Sequence, residues 1–592
     1  MRYFKCPVSF RLPALPRRAK QLPVLIGLPL ALGAAWGGAC AEGPGASREG
    51  VVSAASPYAA QAGADVLARG GNAIDAATAT AFTLLVAEPG MSGLGGRTVM
   101  LIGRPGGKVE ALDGASAWPE AWIALRKAKT VVPKAVGWRQ VAVPGSTAAM
   151  VEAQTRWGKL PLREVIRPAI SLARTGFLVS RLQEQLFAEH AWKDDSAELR
   201  RIFLHPDGTP YLADERLKQP DLAHTLELIA TQGARVMYTG EIGRALVAQM
   251  EKEGGYVRAP DLEAYRPKTP QIDEIQYGDQ RLVAMDRPTA GRALLWRMRV
   301  LEKLPRYPER ADDTQALAEL LAAPLPAGPS GESDEAECKR LLAGDSVAKA
   351  VREIVEHVTA RKSTLPMPEP ATMTNTTHFS VADGQGTVVA VTQTLGPLFG
   401  PGVVLPGYGI TFASTMGYLR DTDPSKSPTS SIVPTLVFDR TGTPVMALGG
   451  AGATRIPGAV LQVLHHTLNR HTPLSEALAL PRITIDREEN RPLLRMEALD
   501  QAEMQALAAE LKGRGIAVNP VQKGQVLGRV HAVRRNPDGT WEGAADPRWF
   551  GEAVTPVVLP MPESKQGRIT PQPGAVPSRA SHTRLAGTAG SP

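Results

Sequence analysis

Cysteine is almost missing from this chain of 592 residues: it stands only at Cys6, Cys40 and Cys338. That excludes a disulfide framework, and no Cys/His cluster with metal-ligand spacing is present. Cys338 lies in the helical-looking run ECKRLLAGDSVAKAVREIVEHV, where a lone cysteine reads as a packed residue rather than a nucleophile. The HExxH, EF-hand and GxSxG patterns are missing too, and no glycine-rich turn carries the Gly-Lys-Ser/Thr of a phosphate loop. Gly95-Gly96 lacks the preceding strand and following acid of a dinucleotide fingerprint. No metal and no cofactor is expected.

Acids are missing from residues 1–41, which hold Arg2, Lys5, Arg11, Arg17, Arg18 and Lys20. The tail from Met561 is basic as well, with Lys565, Arg568, Arg579 and Arg584 against Glu563. These ends carry +6 and +3 of a net charge of +8, so the body between them sits at −1. The body has no basic stripe, and no nucleic-acid partner is expected.

The basic start runs into LPVLIGLPLALGAAW and then small residues ending Ala39-Cys40-Ala41. That order spells a secretory signal at residues 1–41, with cleavage after Ala41 leaving Glu42 first. The apolar run is shorter than the roughly 20 residues that span a bilayer, and it contains Pro23 and Pro29. A membrane anchor is therefore the weaker reading. Cys40 raises lipidation, and Arg17-Arg18 raises twin-arginine export. The expected location is periplasmic or secreted, with membrane contact only through the signal segment.

Helical periodicity marks residues 50–90, broken at Gly70-Gly71, and returns at 146–157, 160–176, 222–232 and 240–254. Short strands are expected at VEALD and QRLVAMD. Residues 302–336 are proline- and acid-rich and loosely patterned, and one long helix is expected at about 337–361. Strands follow at 377–383, 387–394, 432–438 and 443–448, then helices at 455–468 and 499–514. The run 561–592, rich in Pro, Ser, Gly and Thr, is expected to be disordered. Helices flanking two groups of antiparallel-looking strands predict an α+β layered sandwich.

The chemistry concentrates in MTNTTHFSVADGQGTVVAVTQTLG, residues 373–396. Asp383-Gly384-Gln385-Gly386 reads as a hairpin turn. A three-residue loop pairs Thr376 with Thr394 and His378 with Thr392; a two-residue loop shifts this by one. Cross-strand threonines are most often ladder decoration. A threonine hydroxyl becomes a useful nucleophile when a base sits beside it, and a free α-amine of pKa about 8 on the same residue is such a base. That requires cleavage between Asn375 and Thr376. The proline-rich KSTLPMPEPATMTN before Thr376 is where a chain can be cut without damage to a core. A second glycine-rich turn, LGGAGATRIPGAVLQ at 448–462, offers backbone N–H groups to an oxyanion.

Seven blocks in one order resemble the γ-glutamyltranspeptidase family of self-cleaving N-terminal-nucleophile hydrolases. The first half has GGNAIDAATATAFTLLVAEPGMSGLGG, VPGSTAAMVEAQTRWGKLPLREVIRPAISLARTGFLVS and GGYVRAPDLEAY. The second has TTHFSV with VTQTLG, SSIVPTLV, GGAGATRIPGAVLQ and GAADPR. The likeness covers about residues 50–300 and 370–560. It implies a four-layer αββα sandwich, cleaved before a threonine into a large subunit, 42–375, and a small subunit, 376–560, held together as a heterodimer. It implies a covalent acyl-enzyme attacked by water or an amine. Thr376 is then the nucleophile and new N-terminus, and Thr394 the threonine that bonds to it. Gly452 and Ala453 match the paired oxyanion donors; Ala453 replaces a glycine but keeps its backbone N–H. Ser430 and Ser431 match the pair that holds the substrate carboxylate.

Departures from the family bear on specificity. Ala115 stands where the family has an arginine for the substrate carboxylate. Thr415 and Tyr418 lie in the stretch that binds the substrate ammonium, and Tyr418 replaces its aspartate. Gly396 replaces an asparagine. Loss of both charged groups costs on the order of 10²–10⁴ in kcat/KM for a glutamyl donor. Arg97, which replaces a family glycine, Trp118 and Tyr418 are candidate substitutes. The lid between Leu419 and Ser430 is cut to RDTDPSKSPT.

The expected function is an exported, autoprocessing amide hydrolase or transferase working through a threonine acyl-enzyme. Its substrates are γ-glutamyl or glutathione-like compounds with altered specificity. The alternatives are an N-acyl amide acylase of cephalosporin-acylase type and a non-catalytic periplasmic binding protein. A small-molecule amide or peptide is the expected substrate partner.

Overall fold

The computed structural model describes residues 46–130, 135–287, 289–329, 332–368, 375–418, 430–497, 500–522 and 527–557. The expected signal at 1–41 and tail at 561–592 lie outside them. In chain order the strands that build the centre are β1 (Gly50–Ala54), β2 (Arg97–Gly103), β3 (Val109–Gly114), β4 (Ile272–Tyr277), β5 (Gln280–Met285) and β6 (Asn375–Asp383). They continue with β7 (Val388–Gly396), β8 (Thr435–Phe438), β9 (Pro444–Ala451), β10 (Arg529–Arg535), β11 (Trp541–Ala544) and β12 (Glu552–Val554). One sheet runs β12-β1-β6-β7-β2-β3 and the other β11-β10-β9-β8-β5-β4. Every pairing in both is antiparallel.

Alternation along the strands explains the layers, because successive side chains point to opposite faces. In β1, Val51 joins the core between the sheets and Val52 the core under the helices. Ala382, Val388 and Ala390 of the first sheet meet Leu436, Ala447 and Leu448 of the second. Phe379 and Val381 turn the other way, toward Ile74 and Phe82 of the helix Ala73–Ala87. On the far side, Leu294 and Leu295 of the helix Gly291–Lys303 and Val460 of the helix Ile456–Leu464 close the second sheet. The result is the αββα sandwich.

The two sheets approach closely where the hairpin needs them to. A Cβ placed on Gly449 in β9 would lie 2.4–2.9 Å from three ring atoms of His378 in β6. Only a residue without a side chain lets the imidazole of one sheet rest on the backbone of the other.

Three expectations are corrected. Residues 50–54 are a strand, not the start of a helix, because GVVSA is buried on both faces and shows no alternation. The loosely patterned 302–336 contains the helix Arg310–Ala322. The long helix at 337–361 is two helices, Asp334–Leu342 and Gly344–Thr359, parted by Ala343 in an extended conformation next to the weak helix former Gly344. Cys338 is half-buried, and burial together with Asp273 pushes its thiol up to about 11, so it stays protonated.

Gly449→Ala should destabilise the protein by about 1–3 kcal/mol, the usual cost of overpacking. Urea denaturation checks this, and a neutral result would mean that the sheets slide freely past His378.

Candidate active site

The hairpin β6–β7 pairs Thr376 with Thr394, Thr377 with Gln393 and His378 with Thr392, and its register shifts between Asn375 and Thr376. Asn375 pairs with Gly396, which leaves Leu395 as an extra residue. The bulge is not left unsatisfied: Leu395 N–H donates to the carbonyl of Met91, and its carbonyl accepts from Ser414 N–H. It also brings Thr394 against both sides of one peptide bond. Thr394 Oγ1 accepts from the Thr376 hydroxyl at 3.1 Å and from Gly396 N–H at 3.0 Å. It donates to the carbonyl of Asn375 at 2.7 Å. A hydroxyl has one proton and two lone pairs, so Thr394 is fully used. Both threonines are buried.

Below this pair the wall is neutral. His378 Nδ1 lies 2.8 Å from Thr392 Oγ1, and its Nε2 lies 3.1 Å from Ser380 Oγ. Burial, reinforced by His531, drives the His378 pKa well below its ordinary value of 6.5. His531 is itself pulled down to about 4 by burial. Both imidazoles are uncharged at neutral pH.

Gly452 and Ala453 follow β9, three and four residues after Gly449, as the chain turns into the helix Ile456–Leu464. Ala453 has φ 58°, a left-handed conformation that costs an L-residue about 1–2 kcal/mol. The alanine keeps the N–H, but it carries strain that a glycine would not. The turn is braced from behind. A Cβ on Gly452 would lie 2.8 Å from Gly528 Cα. The carbonyl of Gly528 accepts from Arg482 Nη1 at 2.7 Å. Arg482 reaches Asp546 at 2.5 Å, and Asp546 also takes Val530 N–H and Arg548. The GAADPR block is thus a buried ion network behind the glycine turn.

The other expected site residues lie around the same end of the sandwich. Thr435 pairs with Leu448 in antiparallel sense, so Ser430 and Ser431, upstream of Thr435, extend in the same direction as Gly452. Ser430 Oγ accepts from Ile432 N–H at 3.5 Å. Thr415 donates to Ser116 at 3.0 Å, and its neighbour Ser414 is bonded to Leu395. Tyr418 ends the short helix Thr415–Tyr418; its side chain, like the segment 419–429 where a shortened lid is expected, lies outside the described residues. Ala115 is buried, with its N–H on Asp113 at 2.8 Å and its carbonyl under the Tyr265 hydroxyl at 2.8 Å. A few residues further on, Trp118 and Trp122 stack at 4.5 Å and pack with Ala142 and Met416. Arg97 pairs directly with Thr394 and is buried on the same face of the sheet. Its charge acts on Asp113, whose carboxyl burial pushes upward.

A family model described as Gamma-glutamyltranspeptidase matches residues 59–555. The chain belongs to the γ-glutamyltranspeptidase family. The "Acylase ACY 1 proenzyme" of Pseudomonas sp. (strain SE83) is 32% identical over 552 residues, 88% of this chain and 95% of that protein. The "Glutathione hydrolase proenzyme" of Bacillus subtilis (strain 168) is 28% identical over 551 residues, 86% of this chain and 91% of that protein. The crystal structure of cephalosporin acylase from Bacillus halodurans superposes with a TM-score of 0.75 at 27% identity, covering 86% of this chain and 96% of that one. The γ-glutamyltranspeptidase family fixes the class, a hydrolase or transferase. Its members in this comparison include both acylases and glutathione hydrolases, so the acyl group is decided by this chain's own pocket.

Glu88, Trp549, Arg529 and Gly528 were not among the expected site residues. Glu88 did leave a signal: it is the acid that follows the helix AIDAATATAFTLLVA, which after Asp75 holds only apolar and hydroxylic residues.

Two measurements follow from this geometry. Ala453→Gly should raise stability by about 1 kcal/mol in urea denaturation, by release of left-handed strain. His378 has a depressed pKa when folded, so the unfolded chain takes up the proton first. Its contribution is complete above pH about 6.5 and is lost below it at about 1.4 kcal/mol per pH unit. Between pH 6.5 and 5.5, His378→Gln should therefore lose about 1 kcal/mol less than the parent protein.

Proposed function

We propose that the protein is an exported, autoprocessing amide hydrolase in which Thr376 is first the agent of its own cleavage and then the nucleophile. The observation that carries this is the single hydroxyl of Thr394, bonded both to the Thr376 hydroxyl and to the Asn375 carbonyl. Thr376 Oγ1 adds to the Asn375 carbonyl carbon while Thr394 donates to the oxygen as it gains charge. The C–N bond then breaks, and the hydroxyl proton goes to the Thr376 nitrogen. The resulting ester is hydrolysed by water. Asn375 leaves as a carboxylate at the end of the large chain, 42–375, and Thr376 keeps its hydroxyl and gains a free amine at the start of the small one. The word proenzyme in the relatives' names supports this order of events.

In turnover the α-amine takes the proton from the Thr376 hydroxyl as it adds to a substrate amide. The amine then passes that proton to the leaving nitrogen. The N–H groups of Gly452 and Ala453 receive the oxyanion. Water, or a second amine, releases the acyl group and frees the hydroxyl. Ser430 and Ser431 contact the substrate.

Ala115 and the apolar cluster of Trp118, Trp122, Ala142 and Met416 favour a neutral or extended acyl group over a free glutamyl head. An N-acyl amide acylase is the reading this supports, in line with the acylase relatives. The glutathione hydrolase relatives and the buried Arg97 beside Thr394 support γ-glutamyl turnover as the second reading.

Intact-mass analysis tests the first step: two chains, the smaller starting at Thr376, are expected. A single uncut chain after long incubation would sink the proposal. Thr376→Ala should stay uncut, and Thr394→Val should slow cleavage by about 10²–10³, the cost of one lost oxyanion donor. On a panel of p-nitroanilides, neutral N-acyl compounds should exceed γ-glutamyl by about 10² in kcat/KM; the reverse order would select the second reading.

A further inference from the structure

The helix Ala73–Ala87 lies against the nucleophile strand and is tied to it at both ends. At its start, Ala73 N–H donates to Asp383 Oδ2 at 2.9 Å. Asp383 Oδ1 meanwhile closes the hairpin turn through the N–H groups of Gln385 and Thr387. At its other end, Glu88 Oε2 accepts from the Thr377 hydroxyl at 2.6 Å. The lengths match: 15 helical residues rise about 22 Å, and the six steps from Thr377 to Asp383 cover about 20 Å. The helix is a strut laid antiparallel to β6.

Glu88 does a second job with its other oxygen, which accepts the Trp549 indole N–H at 2.5 Å. The Trp549 ring lies 3.5 Å from the guanidinium of Arg529. Arg529 pairs with Ala451, the residue before Gly452. Glu88 and Arg529 are buried, 5% and 6% exposed, and Trp549 between them is half-buried. One carboxyl group therefore links two sheets, from the residue after Thr376 through Trp549 to β10, the strand paired with the one that delivers Gly452.

We infer that Glu88 is a positioning residue that sets the spacing between the nucleophile and the oxyanion turn once the Asn375–Thr376 bond is open. The inference rests on the reading of Thr376 as the N-terminal nucleophile. While the chain is intact, Asn375 holds Thr376 from one side. After cleavage that tether is gone, and Thr376 ends a strand whose next side chain is fixed by Glu88. Thr377 and Thr376 point to opposite faces, so Glu88 holds the strand from behind without meeting the substrate. A displacement of about 1 Å in such a constellation costs about 10²-fold in rate.

The test compares Glu88→Ala, Glu88→Gln, Thr377→Val and Trp549→Phe, by intact mass and by kinetics on the p-nitroanilide that the parent protein turns over best. Thr377→Val removes one hydroxyl at nearly constant shape and stays informative if Glu88→Ala does not fold. Glutamine can take Trp549 N–H on its oxygen and give its amide N–H to Thr377, so it keeps both bonds. The expected pattern is a kcat lowered about 10-fold in Thr377→Val and Trp549→Phe and about 10²-fold in Glu88→Ala, at a KM within about 2-fold. Glu88→Gln should recover to within about 3-fold of the parent, since both hydrogen bonds survive. A Thr377→Val protein that is cut and has the parent kcat, or one that changes KM alone, overturns the inference. An uncut and inactive parent protein overturns the nucleophile reading, and the inference falls with it.

Discussion

Everything at this site depends on the register of one hairpin. Thr394 meets both the hydroxyl of Thr376 and the carbonyl before it only because a bulge at Leu395 lets Gly396 step back to pair with Asn375. A slip of one residue would turn Thr394 to the opposite face. Register is fixed from several directions. Asp383 closes the turn, Phe379 and Val381 belong to the helix-side core, and His378 rests on Gly449 in the other sheet. All of these residues are buried, and each opposes the slip.

Around that hairpin the molecule spends buried charge with restraint. The wall on the His378 side of the threonine pair is made of neutral imidazoles and hydroxyls, while the buried Arg97 stands across from Thr394. Ion pairs stand behind this wall in the Arg482–Asp546–Arg548–Glu497 network, and Glu88, whose carboxyl burial pushes up against the opposing pull of Arg529, stands behind it too. Such networks hold backbone in place because removal of one partner strands the others without water. Here the held backbone is Gly528 beside the turn at Gly452 in one case and the strand of Thr376 in the other.

The layered sandwich and the hairpin were legible because their signals are local. Alternating residues flank Asp383-Gly384-Gln385-Gly386, and glycines punctuate the turn before the helix Ile456–Leu464. Strand β1 was not legible, since GVVSA is buried on both faces and reads like the helix that follows. The helix Arg310–Ala322 hid in a segment with little periodicity. The role of Glu88 was equally hidden: its partners lie 289 and 461 residues away, and nothing in the local pattern points to them. Ala453 was visible as a residue type, but its left-handed conformation was not.

The sequence by itself determined the family, through seven blocks in fixed order, and the candidate nucleophile, through a threonine on a hairpin after a proline-rich linker. It also raised the expectation that the charged clamp on a glutamyl head is changed at Ala115 and Tyr418. These properties depend on residue type and on short spacing, which a linear chain displays. Tertiary structure decided the rest. It placed Arg97 on the face of Thr394, and one carboxyl group between the strand of Thr376 and the strand beside the one that leads into Gly452. Such contacts join residues hundreds of positions apart, and they exist only where two sheets and a buried helix close on one another.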